Sequence, residues 1–463
     1  MLVTDLQDRV IPRPIKRNFI EGLTPGEYFT SLYGARKGIT AAKTEVQLPG
    51  ALAKELTASN VDLIVTIADC GTRKGIDFDI SDRDALDRLA AIDVRDSSGN
   101  VLVGRNSIIT SRVVDSLKKG GVLTIKARSV TTCEALKGVC ASCAGVQENG
   151  RLPGIGENIG VKHSMSLAEP LTQMALSTKH TAGIAGSKGM GMSAIKTILE
   201  MPASVYTKEI LAQQDGVVSE VNKLPTGGHI VTVKGTSSED YLIPPGHRLL
   251  KTTGPVSQGE PLTDGIPNIQ DYVAIKGIEA GRNKLTETIR DFYRNSGRYI
   301  DRRVPETVAC GILNYAKVLS PGDFDLVEGD VVEYNQAAPM QTRKVVSLPP
   351  GQTVGYRLAD SYGKFSKDIR IDRDIARSLS RSSKFKKIGV YKEPARLEPV
   401  AFGINKIPVV KKDWLSRLGF RYLSNTITEG AATGMESNIH SMNPIPALAY
   451  GAEFGQGKGF DVY

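Results

Sequence analysis

Four cysteines limit what this chain can fold into more tightly than any other feature. Cys133, Cys140 and Cys143 sit in TTCEALKGVCASC, and Cys70 lies upstream in ADCGTRKG. A CxxC pair at 140 and 143 can grip one tetrahedral metal from a tight turn. Cys133, with six residues between it and Cys140, can add a third thiolate, and Cys70 a fourth from a separate element. Four soft thiolates suit zinc, and a shell they close is structural rather than catalytic. A redox CxxC or buried free thiols are the competing readings. The redox reading wants a thioredoxin-like βαβ context that the flanking sequence lacks. Cys310, in VPETVACGIL among apolar neighbours, is expected to be a buried bystander.

The chain has 463 residues, enough for a real core and long for one domain. Its 40% apolar and 24% charged residues are those of an ordinary soluble protein. No apolar run approaches the roughly 18 residues of a membrane span. The N-terminal MLVTDLQDRVIPRPIKRNF has no uninterrupted apolar core of a signal peptide, so a cytoplasmic location is expected. A net charge of +9 favours a polyanionic partner, most commonly nucleic acid. Much of the charge falls between Lys364 and Lys392, where a solvated face competes with nucleic-acid contact. DGVVSEV and HIVTVKG flank a Pro-Thr-Gly-Gly turn and predict a hairpin. KLTETIRDFYRNSG predicts a helix with Ile289, Phe292 and Tyr293 on one face, and residues 26–58 carry a helical pattern.

Longer stretches are recognisable. NFIEGLTPGEYFTSLYGARKG, residues 18–38, resembles the lead-in to the bridge helix of the beta-prime subunit of bacterial-type multisubunit RNA polymerase. Cys70, Cys133, Cys140 and Cys143 match that family's zinc cysteines in order and spacing. GENIGVKHSMSLAEPLTQMALSTKHTAG, residues 156–183, resembles the run into its trigger loop. SPGDFDLVEGDVVEY resembles a later turn and strand, FRYLSNTITEGAATG the helix at the base of the clamp, and NPIPALAYG the loop beyond it. The likeness is collinear with the C-terminal half of beta-prime and lacks the large inserts found near the trigger loop in some bacteria.

The resemblance implies an α+β, multi-domain chain. A bridge helix and its lead-in occupy 1–60, a zinc-binding β-rich module 61–165, and a mobile trigger-loop helical hairpin 166–200. A mixed β and helical region covers 201–385, and a clamp-base segment with a C-terminal clamp helix covers 386–463. The implied function is that of a subunit of a DNA-directed RNA polymerase, a nucleotidyltransferase that is inactive alone. His180 would reach the NTP triphosphate, Leu176 would pack on the base, and Thr172 and Gln173 would hold substrate and neighbouring backbone. Arg36, Lys37, Val46 and Gly50 would face the nucleic-acid cleft.

Structural Zn²⁺ would sit on the four cysteines, and catalytic Mg²⁺ on a partner. The Asn-Ala-Asp-Phe-Asp-Gly-Asp motif that binds magnesium in the family is not in this sequence, and Gly322-Asp323-Phe324-Asp325 fits a structural turn instead. Expected partners are therefore an N-terminal beta-prime-like chain with those aspartates, beta-like chains, a promoter-recognition factor, DNA template, RNA and NTPs, with no membrane. Split, insert-poor polymerases of this kind are what some large bacteriophages encode, and plastids also split beta-prime; the short length favours a phage, for which host-cell cytoplasm and packaging in the virion are expected. Four positions depart from the family: Val46 stands where it usually has Thr, Ser177 for its usual Arg, Leu176 for Met and Lys179 for an aromatic residue. The alternative is a non-catalytic nucleic-acid-binding or virion structural module derived from a polymerase fragment.

Overall fold

The computed structural model describes residues 3, 5, 9–18, 20–40, 43, 47–96, 98–177, 192–202, 208–225, 227–381, 386–411, 414–417 and 423–435. The architecture is mixed: helices surround one main core, and the described strands form six small sheets of two to four strands.

Helix α1 (Pro25–Thr40) begins where local chemistry favours it. Pro25 fits a first helical turn, and Thr24 and Glu27 exchange hydrogen bonds as a capping box. The amides of Thr24 and Lys16 hold the Glu27 carboxyl down to about 2. Helix α2 (Gln47–Asn60) follows. The helical pattern read over residues 26–58 is present as these two helices.

Next comes a β-rich module. Strand β1 (Val65–Ile67) pairs in parallel with β6 (Val139–Cys140). Between them β2 (Ile76–Asp79) pairs with β5 (Thr124–Ala127), and β3 (Val94–Arg95) with β4 (Val101–Val103). Helix α3 (Ser111–Lys119) packs Val114 and Leu117 into a core with Phe78, Ile109 and Ile125. A one-turn α4 (Ala141–Ala144) ends the module.

Helices α5 (Ile159–Ser177) and α6 (Met192–Glu200) flank residues 178–191, which lie outside the described residues. Leu167 and Leu171 of α5 meet Ile195, Ile198 and Leu199 of α6 and Leu52 and Leu56 of α2 in the main core. Contact at the base of α5 is close enough to demand glycine. A Cβ on Gly160 would stand 2.0 Å from the Asn60 carbonyl oxygen. Pro170 lies inside α5 and removes one helical amide. The nearby Leu167 carbonyl accepts the Tyr293 hydroxyl.

Strands β7 (Gly216–Lys223) and β8 (His229–Lys234) form the expected hairpin, extended by β9 (Ser238–Ile243) and β10 (Gly254–Val256). Helices α7 (Ile269–Lys276), α8 (Ile278–Asn295) and α9 (Arg303–Ile312) complete the main core. Ile289, Phe292 and Tyr293 are buried there on one face of α8, as their spacing predicts.

Strand β11 (Tyr315–Ser320) pairs with β12 (Val331–Glu333) across the SPGDFDLVEGD turn. In that turn the Asp323 carboxylate accepts the Glu393 amide at 2.7 Å, so the aspartate ties two loops together. A one-turn α10 (Tyr334–Ala337) leads to β13 (Lys344–Leu348), β14 (Arg357–Leu358), α11 (Arg373–Arg381) and β15 (Ile388–Lys392). Strand β16 (Arg396–Val400) then returns to β11. Short helices α12 (Ile407–Val410) and α13 (Trp414–Arg417) precede α14 (Leu423–Thr433), a helix where FRYLSNTITEGAATG predicts one. NPIPALAYG lies outside the described residues. No helix among the described residues is long and apolar enough to cross a membrane.

Candidate functional site

The parallel pairing of β1 with β6 brings Cys70, just beyond β1, against the Cys133–Cys143 segment. Gly138 makes the approach possible. Its φ is +57°, and a Cβ there would lie 2.1 Å from the Ile64 carbonyl oxygen. The sulfurs of Cys70, Cys133, Cys140 and Cys143 all lie within 4.8 Å of one another. Cys70 and Cys143 Sγ are 3.8 Å apart. A tetrahedron with arms of about 2.3 Å has edges of about that length, so the donor set fits zinc. The Cys140 amide donates to Cys133 Sγ at 3.4 Å and the Cys143 amide to Cys140 Sγ at 3.3 Å. Hydrogen bonds from neighbouring thiols hold Cys70 low and Cys140 at about 7, whereas Cys133 and Cys143 are pushed up. Cys310 is buried in the same apolar cluster but outside the four-sulfur group, as expected.

Sequence reasoning missed what surrounds the sulfurs. Arg128 is fully buried, with Nη2 3.3 Å from Cys70 Sγ, 3.7 Å from Cys140 Sγ and 3.5 Å from Cys143 Sγ. It is fixed by Asp69 at 2.6 Å and by the Asn106 side-chain carbonyl at 2.6 Å. Its hydrogen bond holds the Asp69 carboxyl down to about 2. Four thiolates around a divalent ion leave two excess negative charges, and a buried guanidinium offsets one of them. ARSVTTC carries no local sign of this role, since the partners come from distant loops.

A second buried constellation joins this module to the helices. Glu306 of α9, fully buried, takes both Arg88 guanidinium nitrogens at 2.8 and 3.0 Å, Arg302 Nε at 2.8 Å and the Ser129 hydroxyl at 2.8 Å. Arg290 of α8 pairs with Asp84, and Arg302 also pairs with Glu287. Nearby, His163 Nδ1 is 2.7 Å from Thr307 Oγ1, and burial lowers its pKa to about 4. A depressed histidine stabilises the fold while it stays neutral, above about pH 6.5, and this contribution is lost as pH falls towards 4. The free energy of unfolding should therefore drop over that window by up to about 3 kcal/mol more in the native chain than in His163→Gln. An equal drop in both would remove the histidine as the cause.

The residues expected to act in catalysis are divided. Thr172 is half-buried on α5, and the exposed Gln173 accepts a hydrogen bond from Arg298 Nη1 at 3.1 Å. Leu176 and Ser177 belong to the last turn of α5, while Lys179 and His180 lie outside the described residues. Arg36 is exposed on α1, which also contains Lys37, and Gly50 is exposed on α2. Val46 lies outside the described residues.

Residues 22–331 match the family model of RNA polymerase Rpb1, domain 5. The chain belongs to that family. The Rpb1 domain 5 match includes α1, α2, all four clustered cysteines and α5 to α9. Among curated relatives, the beta' subunit of DNA-directed RNA polymerase from Thermoanaerobacter sp. (strain X514) is 34% identical over 72% of this chain and 29% of its own length. The beta' subunit from Cutibacterium acnes is 28% identical over 100% of this chain and 34% of its own. That of Mesoplasma florum is 27% identical over 96% and 34%. The chain thus spans about a third of the length of the curated relatives it matches.

Proposed function

We propose that the chain is the part of beta-prime that supplies bridge helix and trigger loop to a multisubunit DNA-directed RNA polymerase. The observation that carries this is the collinear match through residues 22–331, within which four cysteines distant in sequence meet as one thiolate cluster. In this reading α1 and α2 are the bridge-helix segments, and Arg36, Lys37, Val46 and Gly50 face template and cleft. The exposed Tyr28, Phe29 and Ile39 of α1 suit a helix covered by other subunits and nucleic acid. The C-terminal part of α5 and helix α6 belong to the trigger-loop hairpin of residues 166–200, and the four cysteines hold structural zinc.

The chemistry is in-line phosphoryl transfer to an RNA 3′-end. Magnesium, held by the aspartates of a partner beta-prime-like chain, would neutralise phosphate charge when bound. This chain's share is to position NTP and stabilise charge: His180 donates to the triphosphate, Leu176 packs on the base, and Thr172 and Gln173 hold substrate and backbone. Beta-like chains and a promoter-recognition factor complete the assembly with DNA, RNA and NTPs.

The test is single-nucleotide addition on an elongation complex assembled with a chain bearing the aspartate motif. The native chain alone is expected to make no RNA. In the complex, His180→Ala should slow addition about 10²-fold, the low end for a group that donates or positions. Ser177→Arg should tighten NTP binding or speed addition by restoring a phosphate-facing charge. Addition at the native rate by an intact His180→Ala complex would rule out the catalytic role and favour the non-catalytic module.

A further inference from the structure

The chain's positive charge is concentrated in one small module. Residues 343–393 contain thirteen Lys and Arg against five Asp and Glu, a net of +8 in a chain whose total is +9. The module lies beyond the family match, which stops at residue 331. It has its own sheet, in the order β13-β15-β14, and its own core of Leu358, Ile371, Ala376, Leu379, Ile388 and Val390. Because that core holds α11 against the sheet, the charges on α11 stand on a fixed frame.

Arg373, Arg377 and Arg381 follow one another at four-residue steps and line a single groove with Gly351, Val354 and Ala376. A step of four residues is a rise of about 6 Å, so the three guanidinium groups form a row on the scale of successive phosphates along a strand. All three are exposed. The module's carboxylates are mostly engaged elsewhere. Arg343 takes Asp368 at 2.7 Å and Glu393 at 3.5 Å, and the Asp372 carboxylate accepts the Ile375 amide at the start of α11. Only Asp374 meets the row, at 3.6 Å from Arg377, with both side chains open to water and the pair correspondingly weak. Among the described residues Arg373 and Arg381 form no ion pair.

We propose that this groove is a binding surface for the phosphate backbone of duplex DNA. The groove presents guanidinium groups without an aromatic ring among its lining residues. Single strands are recognised by stacking splayed bases on aromatic side chains. Among the described residues the module's rings are used otherwise: Tyr356, Tyr362 and Phe365 pack against the core, and Tyr391 lies under Arg343 at 4.0 Å. A row of charges with no stacking platform among the described residues fits a nucleic acid whose bases stay paired. The polymerase reading contributes only the identity of the duplex as DNA. Nucleotide addition is not measured in the test, so either idea can fail without the other.

The experiment is fluorescence anisotropy of the full chain with a labelled duplex of about 30 base pairs, titrated across roughly 50 to 300 mM salt. Each phosphate contact contributes about 0.9 to the slope of log affinity against log salt. The triple variant Arg373→Gln, Arg377→Gln, Arg381→Gln should lower that slope by about 2 to 3, at an unchanged melting temperature because the side chains are exposed. Lysine at the three positions should restore it. Single substitutions, each lowering the slope by about 0.9, keep the test decisive should the triple variant unfold. An unchanged slope overturns the proposal, and so does a lysine variant that loses as much as glutamine. Tighter binding of single-stranded RNA with the same change in slope overturns the assignment to duplex DNA.

Discussion

Cys140→Ser is expected to take the chain's zinc content from about one per chain to none and to unfold the module between β1 and α4. The local apolar cluster explains the size of the effect. It consists largely of the cysteines themselves with Leu63, Val65, Val130, Ala135, Val139 and Ile159, so the sulfurs are part of the core they hold together. Apparent binding energies of structural zinc are about 10–16 kcal/mol in small thiolate domains, and that energy is folding energy. Hydrogen exchange should accelerate across residues 64–145 in the variant while the β7–β10 sheet keeps its protection. Cys310→Ser should retain the metal, because Cys310 is outside the four-sulfur group. Arg128→Met should weaken zinc about 10- to 100-fold without abolishing it. A native chain without zinc, or a Cys140→Ser chain with the native content, would end the assignment.

Glu306→Ala should destabilise the chain by about 3–5 kcal/mol. The carboxylate is fully buried between Arg88 and Arg302, and its removal leaves the buried Arg88 guanidinium without a counter-charge and Arg302 with Glu287 alone. Leaving a buried charge unpaired costs more than the pair itself contributes. The double replacement Arg88→Met with Glu306→Leu should therefore cost less than Glu306→Ala alone, and a double-mutant cycle on urea unfolding reads the difference. Equal or greater loss in the double variant would show that the network is not what holds β-module and helices together.

What could be read from the sequence was what short-range chemistry encodes. A CxxC turn announces chelation, so Cys140 and Cys143 were legible, and the order of Cys133 and Cys70 completed the set. The alternation in β7 and β8 and the spacing of Ile289, Phe292 and Tyr293 on α8 are equally local. Arg128, Asp69 and Asn106 were not legible. Their meeting depends on loops 22 to 59 positions apart in the chain, and nothing in a lone arginine tells solvent from sulfur. Glu306 was hidden for the same reason, since its partner Arg88 lies 218 positions away. The closure of the sheet by β16 was obscured by the basic module between β12 and β16, which separates two strands that share β11.

The seat of Asn60 has a mechanical consequence. Gly160 of α5 rests on its carbonyl, and a Cβ on Gly311 of α9 would stand 2.0 Å from its side-chain oxygen. Three helices are thus riveted at one point with no clearance. From that rivet α5 runs about 26 Å to Ser177, packed as far as Leu171 against α2 and α6. The prolyl joint at 170 is its natural place to flex, seven residues from the tip. A bend at that joint would move residues 172–177, the stretch beyond the last core side chain of α5, and leave the packed root in place.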